Sequence, residues 1–119
     1  MWAHYYELMK PIADKYDIAL PYIPVECKHN AHMFYIKVRD LNERTELLYY
    51  LKNHEVNAVF HYIPLHSAPE GIRAGRFHGE DVYTTKESER LIRLPLYYGI
   101  TSSEVEYVVE QVIYFFESR

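Results

Sequence analysis

Apolar positions recur along this chain with two periods, and each change of period marks an element. Trp2, Tyr5, Tyr6, Met9 and Ile12 stand at helical spacing and Tyr16 continues the stripe, which predicts a first helix. Pro11 lies inside it, so the helix is expected to kink there or to end near Lys10. With no capping residue ahead of it and Trp2 on its apolar face, this helix reads as truncated. Its aromatic stripe is expected to be buried by a neighbour or a self-contact.

Pro21 and Pro24 punctuate residues 18–30, which read as an extended connector. From Met33 to Val38 the period is two: Phe34, Ile36 and Val38 share one strand face, Met33, Tyr35 and Lys37 the other. Asp40 followed by Glu43 has the form of a capping box for a helix over 41–53, with Leu47, Leu48 and Leu51 on its buried stripe. Val56 to His61 predicts a second strand, presenting Val56, Ala58 and Phe60 on one face. Residues 62–83 carry Pro64, Pro69, Gly71, Gly75 and Gly79 and read as a long loop, a feature that in a small domain is usually functional. Thr84 with Glu87 predicts a short capped helix to about Ile92, with Glu89 and Arg93 spaced for an i, i+4 ion pair. Leu94 to Tyr97 reads as a third strand, held to an edge by Pro95. Ser103 with Glu106 predicts the cap of a last helix whose stripe is Val105, Val108, Val109, Val112, Ile113 and Phe116. The order predicts an α+β fold: a small, mainly antiparallel sheet covered by helices on one side.

Composition narrows the picture. The 119 residues suit one domain, short for a complete enzyme with a large cofactor. Aromatic residues make up 16%, 13 of them Tyr, a side chain favoured where a surface is partly covered by a partner or ligand. The formal net charge of −4 comes without a basic patch and speaks against a nucleic-acid partner. No apolar run approaches the roughly 20 residues that span a bilayer, and the start has no signal-peptide layout, so no membrane partner is expected. A single cysteine, Cys27, allows no internal disulfide and suits the cytoplasm.

Candidate chemistry gathers where the second expected strand enters the long loop, at His61-Tyr62-Ile63-Pro64-Leu65-His66. A rigid Pro between imidazole and phenol groups can present them to a polar ligand. The same side chains can equally cap the strand end and brace the loop backbone. Cys27, His29, His32, His61, His66 and His78 are the possible metal ligands, but no C-x-x-C or H-E-x-x-H pairing occurs. Ser67 lacks a nucleophile-elbow context, and no glycine pattern forms a phosphate cradle. Glu70, Glu80 and Asp81 are expected to face water. Spacing alone therefore points to an α+β domain with a His/Tyr loop and to no particular reaction.

Several separate segments agree on a resemblance. Asn30 to Lys37, Val59 to Ser67, Phe77 to Asp81, Tyr83 to Arg90 and Leu94 to Tyr98 occur in one order at fitting intervals. Together they resemble the C-terminal part of the DegT/DnrJ/StrS sugar aminotransferases, over nearly the whole chain and most densely over residues 29–98. The resemblance implies a two-domain pyridoxal 5′-phosphate (PLP) enzyme that moves an amino group from glutamate to a nucleotide sugar. Residues 1–16 would be the end of the interdomain helix and 17–119 the C-terminal small domain. The parent would carry an N-terminal PLP domain and form a homodimer. The lysine that binds PLP belongs to that domain, and none of Lys10, Lys15, Lys28, Lys37, Lys52 or Lys86 matches its motif. No catalytic residue and no cofactor are therefore expected in this chain, which alone would be inactive. The segment matching the family's motif near the active site makes His61, Tyr62 and His66 the expected substrate-binding residues. A stand-alone binding or self-association module with the same fold is the alternative.

Overall fold

The computed structural model describes residues 1–119. The elements are α1 (Trp2–Tyr16), β1 (Phe34–Lys37), α2 (Leu41–Asn53), α3 (Pro69–Ala74), α4 (Thr84–Arg90), β2 (Leu91–Leu94) and α5 (Ser102–Glu117), with a single 3-10 turn at Leu65–Ser67. β1 and β2 pair antiparallel in the register Phe34 opposite Leu94 and Ile36 opposite Ile92. Single antiparallel bridges extend the sheet on both sides, Ala19 to Lys37 and Val59 to Arg93. The expected α+β class is what the chain adopts.

Period-two patterning explains the core. Phe34, Ile36, Ile92 and Leu94 are fully buried, while Tyr35, Lys37, Leu91 and Arg93 on the other face are half-buried. α1, α2 and α5 cover the buried face with Tyr5, Met9, Leu47, Leu51, Val105 and Val112, all at 0% exposure. Each such side chain contributes about 1.5–3 kcal/mol by leaving water, which is why a two-stranded sheet persists here.

α1 departs from expectation twice. It runs through Pro11 to Tyr16, where Asp17 (φ 54°) closes it in the left-handed conformation and the Asp17 and Ile18 amides both return to the Ala13 carbonyl. Burial of Met9 before Pro11 and Ala13 after it outweighs the cost of an internal proline, about 3 kcal/mol. The aromatic stripe is also not left uncovered: Tyr5 stacks on Phe34 at 5.0 Å, and Trp2 meets Phe34 edge-on at 5.4 Å while its Nε1 donates to the Met33 carbonyl. Tyr5 and Met9 are thereby fully buried, while Trp2, Tyr6, Ile12 and Tyr16 on the same stripe are partly buried against the core.

The second expected strand shrinks to one bridge. Val56 donates to the helical carbonyl of Leu51 and Ala58 donates back to Val56, so the backbone bends before it can form a ladder. The third strand lies earlier than its pattern suggests, at Leu91–Leu94, because Pro95 has no N–H to extend the pairing. α4 consequently ends at Arg90, and Arg93 is carried on a strand rather than paired with Glu89. The residue capping α5 is Thr101, reciprocally bonded to Glu104, two positions before the expected Ser103 and Glu106. At α2 the Asp40 carboxylate accepts from the Glu43 amide as expected, but Glu43 reaches back to the Arg39 amide instead of that of Asp40.

Candidate functional site

The 62–83 segment is not wholly irregular. Pro64 leads into the 3-10 turn, and Pro69, at a first helical position where its missing N–H costs nothing, starts α3. α3 folds back on the turn so closely that a Cβ on Gly71 would lie 1.6 Å from the Leu65 carbonyl oxygen. Glycine is therefore required there, and that approach sets the position of His66. The two form part of the wall of a cleft of about 440 Å³, with Leu65 and Arg76.

His66 is held firmly. Its Nε2 lies 2.9 Å from Asp81 Oδ2, and the Phe77 ring covers it at a centroid distance of 4.4 Å. Asp81 is solvent-exposed as expected, but its carboxylate is also engaged by the chain. Besides His66 it accepts from the Thr85 amide at 3.2 Å and from the Thr85 hydroxyl. Thr84, the expected capping residue, lies inside α4, and Tyr83 ahead of it makes no side-chain cap. The carboxylate that caps α4 thus also orients the imidazole. The Thr85 hydroxyl, together with the Thr85 amide and His66, holds Asp81 below the usual carboxylate range, against the opposing effect of partial desolvation.

His61 and Tyr62 lie apart from this group. His61 packs on Tyr62 at 4.0 Å, and its Nε2 stands 3.5 Å from an Arg93 Nη on β2, at the limit of a hydrogen bond. Tyr62, 69% exposed, borders a second cleft of about 320 Å³ with Phe60 and Arg44. There the Arg44 guanidinium lies over the Phe60 ring at 4.8 Å and donates to the Ser88 carbonyl, while its Nε has no partner. Of the three expected residues, His61 and Tyr62 are brought together and His66 is anchored separately. Asp81 and Thr85 were missed by sequence reasoning; the available signal was an acidic residue four positions before a threonine at a helix start.

No group of three or more His, Cys, Asp or Glu side chains is placed to hold a metal ion. His29 packs against Trp2, His32 bonds Asn30, and Cys27 is exposed. The residues present do not fit PLP either. A Schiff-base lysine works from a desolvated pocket. Here Lys10, Lys15, Lys28, Lys52 and Lys86 are exposed, and Lys37 Nζ is tied to Glu87 at 2.6 Å. No lysine lines either of the two clefts described above.

Comparison with known proteins supplies what the side chains do not. The profile of the DegT/DnrJ/EryC1/StrS aminotransferase family matches residues 1–113. Among solved structures, the aminotransferase TlmJ from Streptoalloteichus hindustanus superposes with a TM-score of 0.75 and 18% identity, over 98% of this chain and 32% of that one. Helicobacter pylori PseC, an aminotransferase involved in the biosynthesis of pseudoaminic acid, gives 0.73 and 15%, over 99% and 33%. A Streptococcus pneumoniae protein described as a sugar aminotransferase, in its PMP form, gives 0.64 and 19%, over 92% and 29%. The chain spans about a third of the length of these structures, and at such identities the likeness shows a shared fold. With the family profile matched from residue 1 to residue 113, the chain belongs to the DegT/DnrJ/EryC1/StrS aminotransferase family.

Proposed function

We propose that this chain is the C-terminal small domain of a PLP-dependent sugar-nucleotide aminotransferase, with residues 1–16 ending the interdomain helix and 17–119 forming the domain. The observation that carries the reading is the family match over 1–113 in a chain a third as long as its structural relatives. The reaction proposed for the whole protein transfers an amino group from glutamate to a dTDP-4-oxo-6-deoxyhexose. The finer assignment is a dTDP-4-amino-4,6-dideoxygalactose transaminase of enterobacterial common antigen synthesis, acting in the cytoplasm as a homodimer. It rests on the likeness of the segments around Val59–Ser67 and Phe77–Arg90.

In this reading the domain supplies a wall and the catalytic lysine lies on the N-terminal PLP domain. His61, Tyr62 and His66 face the nucleotide sugar as hydrogen-bonding groups. The lysines described above, exposed or tied to Glu87, support inactivity of the chain alone. Exposed apolar side chains along the same segment, Tyr62, Leu65, Ile72 and Tyr83, favour a covering partner, and the N-terminal domain is the one proposed. A stand-alone self-association module is the alternative; the burial of Tyr5 and Met9 within the chain leaves it only the partly buried Trp2, Tyr6, Ile12 and Tyr16 of the α1 stripe.

The test is to incubate the purified chain with PLP, glutamate and a dTDP-4-oxo-6-deoxyhexose, beside a full-length protein containing it. The expected result is a Schiff-base absorbance and amino-sugar product only with the full-length protein. Turnover by the chain alone would overturn the reading.

A further inference from the structure

We infer that Asp81, anchored by Thr85, is a positioning residue for His66: it accepts the hydrogen bond of Nε2–H, keeping the proton on that nitrogen, and leaves Nδ1 as the ring's acceptor for a hydroxyl-bearing ligand in the adjoining cleft.

The argument starts from the donor count. An ionised carboxylate only accepts, so every polar contact of Asp81 must come from a donor. Its partners are the Thr85 amide, the Thr85 hydroxyl and His66 Nε2, which lies at 2.9 Å. His66 Nε2 must therefore carry a hydrogen, and in the neutral ring Nδ1 is then a bare lone pair. No group of the chain bonds Nδ1. Phe77 packs against the ring at a 39° tilt, and both the imidazole and the carboxylate are about three-quarters covered, at 21% and 24% side-chain exposure. Asp81 cannot swing away without leaving the first turn of α4 uncapped.

Fixing a tautomer through the far nitrogen is a general way for a carboxylate to define what an imidazole can bind. With Nδ1 as acceptor, the neutral side chain takes an O–H donor, such as a sugar hydroxyl, in preference to a dianionic phosphate that offers no hydrogen. The ligand part of this inference rests on the proposal that His66 walls the nucleotide-sugar cleft; the tautomer part does not.

Two measurements separate them. Long-range 1H–15N spectra of the chain, taken where the ring is neutral, are expected to show His66 as a single Nε2–H tautomer. Asp81→Asn can turn its amide N–H toward Nε2 and is expected to shift the population to Nδ1–H. Thr85→Val is expected to loosen the preference and Thr85→Ser to restore it. A wild-type ring already divided between tautomers, or one unmoved by Asp81→Asn and Thr85→Val, overturns the inference. In the full-length aminotransferase, Asp81→Asn is expected to raise KM for a dTDP-4-oxo-6-deoxyhexose about tenfold, the scale of one hydrogen bond, with PLP absorbance unchanged. A shifted tautomer with an unchanged KM would keep Asp81 as the residue that orients His66 and overturn the ligand role.

Discussion

The Tyr5 hydroxyl donates to the Pro95 carbonyl at 2.7 Å, across 90 residues of chain. This bond joins α1 to the point where β2 stops. Burial, with the nearby Tyr97 and Glu104, pushes the phenol well above its ordinary range, so it is a donor at neutral pH. Tyr5→Phe keeps the packing and leaves the carbonyl without this partner. The expected loss is about 1 kcal/mol by urea denaturation. An unchanged midpoint would show the carbonyl satisfied by water.

Phe34 lies between Tyr5 and Trp2 at 0% exposure, at the centre of the sheet's buried face. Phe34→Ala is expected to lose about 3–5 kcal/mol, through lost transfer energy and the cavity left behind. For a domain of this size that is enough to produce a largely unfolded circular dichroism spectrum at 37 °C. A folded variant with a small shift in midpoint would mean that the aromatic cluster repacks.

The helix caps give a pH dependence with a definite sign. Glu104 is held below its ordinary value of 4.5, first by the Thr101 amide, and Asp40 below 3.8, first by the Glu43 amide. A carboxylate whose folded value is depressed stabilises the fold fully above its unfolded value, and that contribution fades as pH falls through the folded value. The urea midpoint is therefore expected to hold from neutrality to about pH 5 and then to decline. Glu104→Gln, which removes the titrating group itself, should flatten part of that decline. A curve already falling between pH 8 and pH 6 would assign the dependence to histidines instead.

Gly71 has no space for a side chain. Gly71→Ala drives a methyl group into the Leu65 carbonyl and must displace the turn that carries His66. The expected cost is about 1–3 kcal/mol, confined to the loop segment. Amide exchange should quicken over 65–82 and leave α5 unchanged. Uniform acceleration would mean that the segment unfolds together with the core.

In the full-length aminotransferase, His61→Ala and His66→Ala are each expected to raise KM for the nucleotide sugar about tenfold while the PLP absorbance persists. Equal kinetics would make both residues loop braces. Their effects should also be close to additive, since His61 engages Arg93 and His66 engages Asp81.

Much of this was legible in the residues, and for a common reason. The buried stripes of α2 and α5 and the alternation of β1 follow from repeating contacts with one apolar face, which spacing encodes directly. The same spacing placed β2 too late and made a strand of 56–61. Strand ends depend on partners far along the chain, on where Tyr5 takes the Pro95 carbonyl and where Val56 turns back to Leu51. The histidines of the loop could be picked out as candidates, but whether they meet could not, because the backbone between His61 and His66 turns through a rigid proline.

What the sequence by itself determined is the class of fold and the family: hydrophobic period and motif order are properties of neighbouring residues and survive without coordinates. What only the tertiary structure decided is which groups act together. α1 became part of the core instead of a bare aromatic face because Phe34 lies within stacking distance. Asp81 became the partner of His66 because the start of α4 brings a carboxylate 15 residues away to within 2.9 Å. Such a juxtaposition depends on how loops close over the sheet, and no local pattern records that.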